Sequence, residues 1–442
     1  MTERSERTLA ISLEEANNVI SHICGTKGFV DFHSPDRGGR ILTAYPVQNW
    51  RIPLGKPAFL QVMADIKAQH RAYSLEGSIS SGGLFGSLFY EAGRCTVPGF
   101  SDSAAHPTEH GGYVGLYLWE LFIADANNPA EGAHLAFHPA CDDHTQSTVL
   151  GFLGQPFPEA HPGFRITRPF QGDKDKTHYL NGVGKVLDYI HAGDCYQANL
   201  SNKYLGQWSG SPYQAYTALT NAIPVPYCAY LDAGAWQVLS ISPELFLSIR
   251  GRQVVTKPIK GTRPRNHASV QKDKDIAEEL SASIKDRAEN LMIVDLLRND
   301  LSRFCQSFSV RVSHLFDIES YENVHQLVST VEGTLDEHHS PLDAMLMAFP
   351  GGSITGAPKR RAMEIISELE CHARGPYCGT LFQWDFNNNL ESNIAIRTLM
   401  TESNGSIHCW AGCGIVADSD PEEEYQESVT KVGKLMRVLE SL

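Results

Sequence analysis

Lys260 stands in "TKPIKGTRPR", directly after the strand-like run "RQVVT" and ahead of a Gly-Thr turn. A lysine at the end of a strand is commonly a solvated edge charge, whereas a primary amine held neutral in a pocket is a nucleophile; the position admits both readings. Carboxylates are the second reactive group. In "AEELSASIKDRAENLMIVDLLRND", Asp286 and Glu289 are three residues apart, which puts both on one helix face a turn apart. Near the C-terminus, "DSDPEEEYQES" opens a helix with Asp420 as N-cap, Pro421 at the first helical position and Glu423 completing a capping box, so capping accounts for Glu422 and Glu423. Glu424, Glu427 and Lys431 follow a different stripe. A solvated face with a Glu427–Lys431 pair at i, i+4 explains them. Two helices that each offer carboxylates to one hard cation would build the oxygen-rich, partly hydrated site that Mg²⁺ prefers, and spacing leaves both explanations open. Cys409 and Cys413 in "HCWAGCG" have no second Cys or His pair at ligand spacing, so zinc is not expected there.

Positioning such groups requires a sizeable scaffold. The chain has 442 residues, 42% hydrophobic and 20% charged, enough for one large domain or two fused lobes. A net charge of -14 with scattered Lys and Arg argues against a nucleic-acid-binding face. No apolar run is long enough to cross a bilayer, and ten dispersed cysteines without an apolar leader lead us to expect reduced thiols in the cytoplasm. Residues 1–170 carry short β-type runs ("GRILTAYPV", "HLAFHPA", "STVLGFLG") around the Gly-rich "SSGGLFGSLFYEAGR". The Pro-rich, charged "PFPEAHPGFRITRPFQGDKDK" reads as a connector. From residue 177 onward, amphipathic helices alternate with strands; "KTHYLNGVGKVLDYIHAG" is a helix stopped by Gly193, and "NNN" and "SNG" supply turns between alternating strands. The mixture lacks a regular βαβ beat, which predicts an α+β fold with large antiparallel sheets and two regions, 1–170 and 177–442.

The segments "AGDCYQANLS", "ISPELFL", "PIKGTRPR", "DRAENLMIVDLLRNDLSR", "VHQLVSTVEG", "PGGSITGAPKRRAMEII", "GPYCGTLF", "NIAIRTL" and "GCGIVADSDPEEEYQE" occur in the order and spacing of the chorismate-utilising enzymes. The resemblance covers residues 177–442 almost continuously, and the first half resembles that family's weaker N-terminal region. It implies two large antiparallel sheets packed as a sandwich and flanked by helices.

The resemblance also implies roles. Glu289 and Glu427 match Mg²⁺ carboxylates, with Asp286 and Glu424 in supporting positions that act through water. Arg397, Tyr377 and Lys431, with the amides around Gly412 and Gly414, match groups that hold the substrate's carboxylates, a task suited to the planar fork of arginine. Ser353 stands where many relatives have Thr. Thr262 and His325 match positions lining the ring pocket, and the bland reading of His325 is a core histidine with satisfied hydrogen bonds. Glu244 matches a general acid, because a ring hydroxyl leaves near neutral pH only as it is protonated; its bland reading is a strand-edge glutamate.

Within the family the members differ in what attacks the ring. Isochorismate and salicylate synthases carry a lysine base where this chain has Gln197, and Gln cannot act as a base. Anthranilate synthases resemble "PIAGT" at the turn; "PIKGT" resembles the aminodeoxychorismate synthases, which implies that Lys260 attacks C2 as the C4 hydroxyl leaves and that ammonia then enters at C4. The chain shows no "GxCxG" elbow with a following His-Glu pair, so a separate glutamine amidotransferase subunit is expected to supply ammonia in a heterodimer. No fused lyase domain for making p-aminobenzoate is evident. The alternatives are an anthranilate synthase component and a non-catalytic chorismate-binding relative; retention of the acid and the lysine favours an enzyme. Two features depart from the pattern: Cys413 stands where relatives commonly have Ala or Gly, and "FVDFHSPDRGGRILTAYP" resembles a tryptophan pocket without the feedback motif of anthranilate synthases, which argues against regulation by tryptophan.

Overall fold

Alternating residues from Tyr227 to Lys257 build four strands in succession, and the chain changes sheets in the middle of them. Tyr227–Asp232 and Trp236–Ser242 pair in one sheet; Leu245–Arg250 and Gln253–Lys257 pair in the other. A second ribbon makes the same passage in the opposite direction. Thr380–Trp384 and Leu390–Asn393 lie in the second sheet, and Thr398–Glu402 and Ser406–Ile415 in the first. The two ribbons are neighbours on both sides of the gap, where Ser240 pairs with Thr398 and Leu245 with Asn393.

The computed structural model describes residues 7–74, 81–100, 110–125, 132–159 and 162–442. Ser80 of the Gly-rich stretch and residues 160–161 of the expected connector lie outside them. A 12-stranded and a 10-stranded antiparallel sheet form the body of an α+β sandwich, as expected. Phe32 and Val238 from the first sheet meet Phe85 and Leu381 from the second in a buried cluster, with the Phe32 and Phe85 rings 6.4 Å apart. Residues 1–170 and 177–442 both feed both sheets: Val30–Ser34 pairs with Tyr227–Asp232, and Gly83–Leu88 with Thr380–Trp384.

Two helices frame the cleft described below. Pro421–Glu440 packs on strand Ser406–Ile415, and Ile284–Ser302 packs on Val324–Thr334. The acidic segment read as one helical run is split at Ser283, whose hydroxyl accepts from the Asp286 amide at 3.3 Å and starts a new helix there. Asp420 caps the C-terminal helix as expected, but through its own carboxylate: Oδ1 accepts from the amides of Glu422 (2.9 Å) and Glu423 (3.1 Å), and no reciprocal Glu423 contact forms.

Two local expectations are corrected. "STVLGFLG" is helical rather than β, because Asp142 accepts from the Thr145 amide and caps a helix over Asp143–Gly151 that a 3₁₀ turn then extends. The expected connector contains strand Arg165–Gly172, mostly exposed, which hydrogen-bonds to Gln197–Ser209. An edge strand with solvated side chains has no apolar alternation for the sequence to display.

Candidate active site

Lys260 is aimed by a bulge. Ile259 pairs with Val328 and Thr262 with Gln326, so the strand carries one extra residue at Lys260–Gly261, and Gly261 adopts φ +85°. A Cβ on Gly261 would lie 2.9 Å from the Asp286 carboxyl carbon, so glycine also lets this strand close on the start of helix Ile284–Ser302. The Lys260 amine lies near Gly414 of the other sheet: a Cβ built on Gly414 would sit 3.4 Å from Nζ and 2.9 Å from the Gln197 amide nitrogen. The lysine therefore reaches across the gap between the sheets.

Glu244 lies in the passage between sheets. Its carbonyl accepts from the Ile394 amide at 3.0 Å, its own amide donates to Ser242 Oγ at 3.2 Å, and that hydroxyl donates to the Ile394 carbonyl at 2.5 Å. The backbone is held from both sides. The side chain is buried and Oε1 accepts from Ser353 Oγ at 2.8 Å. Burial pushes the carboxyl up to about 7, against the opposing pull of the Ser353 hydrogen bond and the charges of Lys260 and Lys431. Such a group is an acid at neutral pH. Arg397 occupies the parallel passage of the second ribbon, with φ +50°, and its carbonyl accepts from Ile241 N. Burial lowers its guanidinium from the usual value, and no carboxylate among the described residues pairs with it.

The two helices each carry a pair of the acids, Asp286 and Glu289 on one and Glu424 and Glu427 on the other. Asp286 pairs with Arg263 at 2.9 Å; Glu424 is buried and accepts from Ser419 Oγ at 2.6 Å. Burial raises the Glu289 carboxyl, Lys260 and Lys285 pull it down, and the charges of Asp286 and Glu424 raise it further. The Glu427 carboxyl is also raised by burial, but Lys431 and Lys260 outweigh this and leave it low. The helices that spacing alone could not bring together thus share one cleft, with Lys260 felt from Glu244, Glu289 and Glu427. The Glu427–Lys431 pair exists at 2.7 Å, yet Lys431 also donates to the Gly412 carbonyl at 3.1 Å and is felt at Glu244. Carboxylate oxygens are the donors that suit a hard divalent cation.

The remaining expected residues lie less centrally. Tyr377 is buried against the Arg374 guanidinium. Thr262 is exposed. His325 is buried with both ring nitrogens engaged, Nδ1 with Ser320 Oγ at 2.7 Å and Nε2 with Asp273 Oδ1 at 3.1 Å, which matches its bland reading. Ser419 and Arg263, which orient two of the carboxylates, went unnoticed in the sequence because a hydroxyl in a capping segment and an arginine after a turn carry no distinctive spacing. Gln197 is fully buried with both amide atoms unpartnered.

A buried carboxyl acid and a lysine amine at the gap between two antiparallel sheets give this α+β fold the makings of an enzyme site. The chain belongs to the chorismate binding enzyme family, whose model matches residues 39–437. It is 40% identical over 362 residues to aminodeoxychorismate synthase component 1 of Klebsiella aerogenes, covering 81% of this chain and 78% of that one. It is also 44% identical over 271 residues to anthranilate synthase component 1 of Thermus thermophilus, covering 61% and 58%. Among solved structures, anthranilate synthase component I of Streptococcus pneumoniae superposes with TM-score 0.74 at 24% identity, covering 98% of this chain and 92% of that one. The menaquinone-specific isochorismate synthase of Escherichia coli gives 0.75 at 18%, covering 99% and 95%. These likenesses carry the fold. Among the described residues no helix is long and apolar enough to cross a membrane, and none of the ten cysteines is paired.

Proposed function

We propose that this chain aminates chorismate to 4-amino-4-deoxychorismate, a step toward p-aminobenzoate and folate, with ammonia from a glutamine amidotransferase subunit in the cytoplasm. The observation that carries this reading is the placement of the Lys260 amine between the sheets, within electrostatic reach of a carboxyl poised near 7 on Glu244. Glu244 gives its proton to the C4 hydroxyl, which leaves as water, while Lys260 Nζ bonds to C2 and both ring double bonds shift by one position toward C4. Ammonia then bonds to C4, both double bonds shift back, and the C2–N bond to Lys260 breaks. The proton lost by ammonia returns to the Glu244 carboxylate. Arg397, without a partner carboxylate, and Lys431 receive the substrate's carboxylates.

Glu289 and Glu427 would hold Mg²⁺, with Asp286 and Glu424 supporting; the ion supplies positive charge that lets an anionic substrate approach these acids. Anthranilate formation is the second reading, favoured by the 44% identity to the Thermus thermophilus relative. Incubation with chorismate, Mg²⁺ and a large excess of an ammonium salt near neutral pH separates the two. The expected product is 4-amino-4-deoxychorismate. Anthranilate alone would establish the second reading, and no consumption of chorismate would sink both. Glutamine should support turnover only with an added amidotransferase.

A further inference from the structure

Residues 349–358 link helix Pro341–Ala348 to helix Lys359–Leu369 and carry Ser353, whose hydroxyl holds the Glu244 carboxyl. The stretch lies directly on the passage that presents the acid. A Cβ on Gly351 would fall 2.6 Å from the Ile394 side chain, and one on Gly352 would fall 2.5 Å from Leu296 of helix Ile284–Ser302. Two adjacent glycines thus let the backbone come close enough for Ser353 to reach Glu244. The far half of the stretch is tied to strand Gln197–Ser209, where Asn199 N donates to the Thr355 carbonyl at 2.9 Å. The near half is held at Phe349, whose carbonyl accepts from Thr96 Oγ1 at 2.9 Å.

One ammonium joins the two ends. Lys359 Nζ donates to the carbonyl of Ala348, the last residue of the first helix, at 2.7 Å, and to Asp300 Oδ2 of helix Ile284–Ser302 at 2.9 Å. The Lys359 and Asp300 side chains are only 11% and 4% exposed. Nothing local calls for a cation here. Lys359 opens its helix, where the helix dipole disfavours positive charge, and burial works against the ionised form of both partners. Arg303 is felt by both, helping Asp300 and opposing Lys359. A buried ion pair of this kind contributes little net stability, so its use lies in the geometry it fixes.

We infer that Lys359 and Asp300 are positioning residues whose ion pair cinches residues 349–358 and so keeps the Ser353 hydroxyl on the Glu244 carboxyl. The inference rests on reading Glu244 as the acid of the proposed amination. In that reaction the carboxyl gives up a proton and later takes one back, a double task that suits a group titrating near the ambient pH. The Ser353 hydrogen bond favours the carboxylate and offsets part of the burial that opposes it. The other groups that face Glu244 are the Lys260 and Lys431 ammoniums and the Cys378 thiol, which sit on other elements and stay in place when the clamp is cut. Loss of the clamp therefore acts on Glu244 through Ser353 alone.

The test titrates Glu244 in the full chain without chorismate, by difference infrared spectroscopy of the carboxyl stretch that Glu244→Gln removes. Ser353→Ala is expected to raise the midpoint by about one pH unit, the scale of a hydrogen bond to a charged group. The double variant Lys359→Met/Asp300→Asn, which leaves neither charge stranded, should raise it by a similar amount. Adding Ser353→Ala to that variant should move it little further. Asp300→Asn alone keeps the Ala348 contact and should give a smaller shift in the same direction, which preserves the test if the double variant does not fold. Arg298→Met removes an exposed ion pair from the same helix as Asp300 and should leave the midpoint where it is. An unmoved midpoint in the folded clamp variants, even with a lowered melting temperature, would reduce the pair to a structural role and overturn the inference; so would shifts that add in full when Ser353→Ala is combined with them. Because the titration needs no substrate, a failure of the wild-type chain to form 4-amino product would count against the amination reading and leave the clamp standing.

Discussion

The amine of Lys260 lies 3.4 Å from the point where a side chain on Gly414 would begin, although the two residues belong to different sheets. Gly414 therefore sets how closely Lys260 and Gln197 approach the floor of the cleft. Gly414→Ala would place a methyl 2.9 Å from the buried Gln197 amide, forcing that side chain aside, and in contact with the Lys260 amine at 3.4 Å. We expect stability to fall by about 1–3 kcal/mol and turnover by roughly a hundred-fold, since small displacements of reacting groups are amplified in rate. Thermal melts and steady-state kinetics check this; a turnover loss no larger than the stability loss implies would contradict the placement.

Glu244 makes the activity and the stability depend on pH in defined directions. Turnover needs its protonated form and should decline as pH rises through about 7. The Ser353 hydroxyl favours the ionised form, so Ser353→Ala should move that decline to higher pH. A downward move would count against the assignment.

Stability follows the same proton. Between the ordinary 4.5 and about 7 the folded chain keeps a proton on Glu244 that the unfolded chain has released, so the Glu244 contribution falls as pH rises through this window. The difference amounts to about 3 kcal/mol. Glu244→Gln should abolish turnover and flatten this part of the stability profile in chemical denaturation measured across pH. An unchanged profile would mean that the carboxyl is not the buried acid described.

Glu289→Gln and Glu427→Gln each remove a charge while keeping shape. Both variants should fold, show weak or absent Mg²⁺ binding by calorimetry, and lose turnover by several orders of magnitude. In Glu427→Gln the partner of Lys431 is also lost. Near-normal activity with unaltered Mg²⁺ dependence in both would refute the carboxylate assignment.

Much of this site is visible in the sequence, for reasons that differ from residue to residue. The helix start at Asp420–Pro421 and the turn at Gly405, which adopts φ +85°, are local chemistry, and local chemistry is written in adjacent residues. The fold class follows from strand alternation. Periodicity names the face on which Glu289 or Glu427 lies but not the element it meets, so the approach of helices Ile284–Ser302 and Pro421–Glu440 is written in the tertiary fold and not in either segment. Strand Arg165–Gly172 and helix Asp143–Gly151 escaped because exposed edges and short capped helices have weak apolar periodicity.

Covalent participation of Lys260 is tested most directly by intact-protein and peptide mass spectrometry after incubation with chorismate and Mg²⁺ in the absence of ammonia. The wild-type chain should carry a chorismate-derived adduct on the peptide containing Lys260, and Lys260→Ala should carry none while losing most of its 4-amino product and gaining 2-amino product or anthranilate. No adduct on the wild-type chain, together with unaltered product and rate in Lys260→Ala, would contradict a nucleophilic lysine.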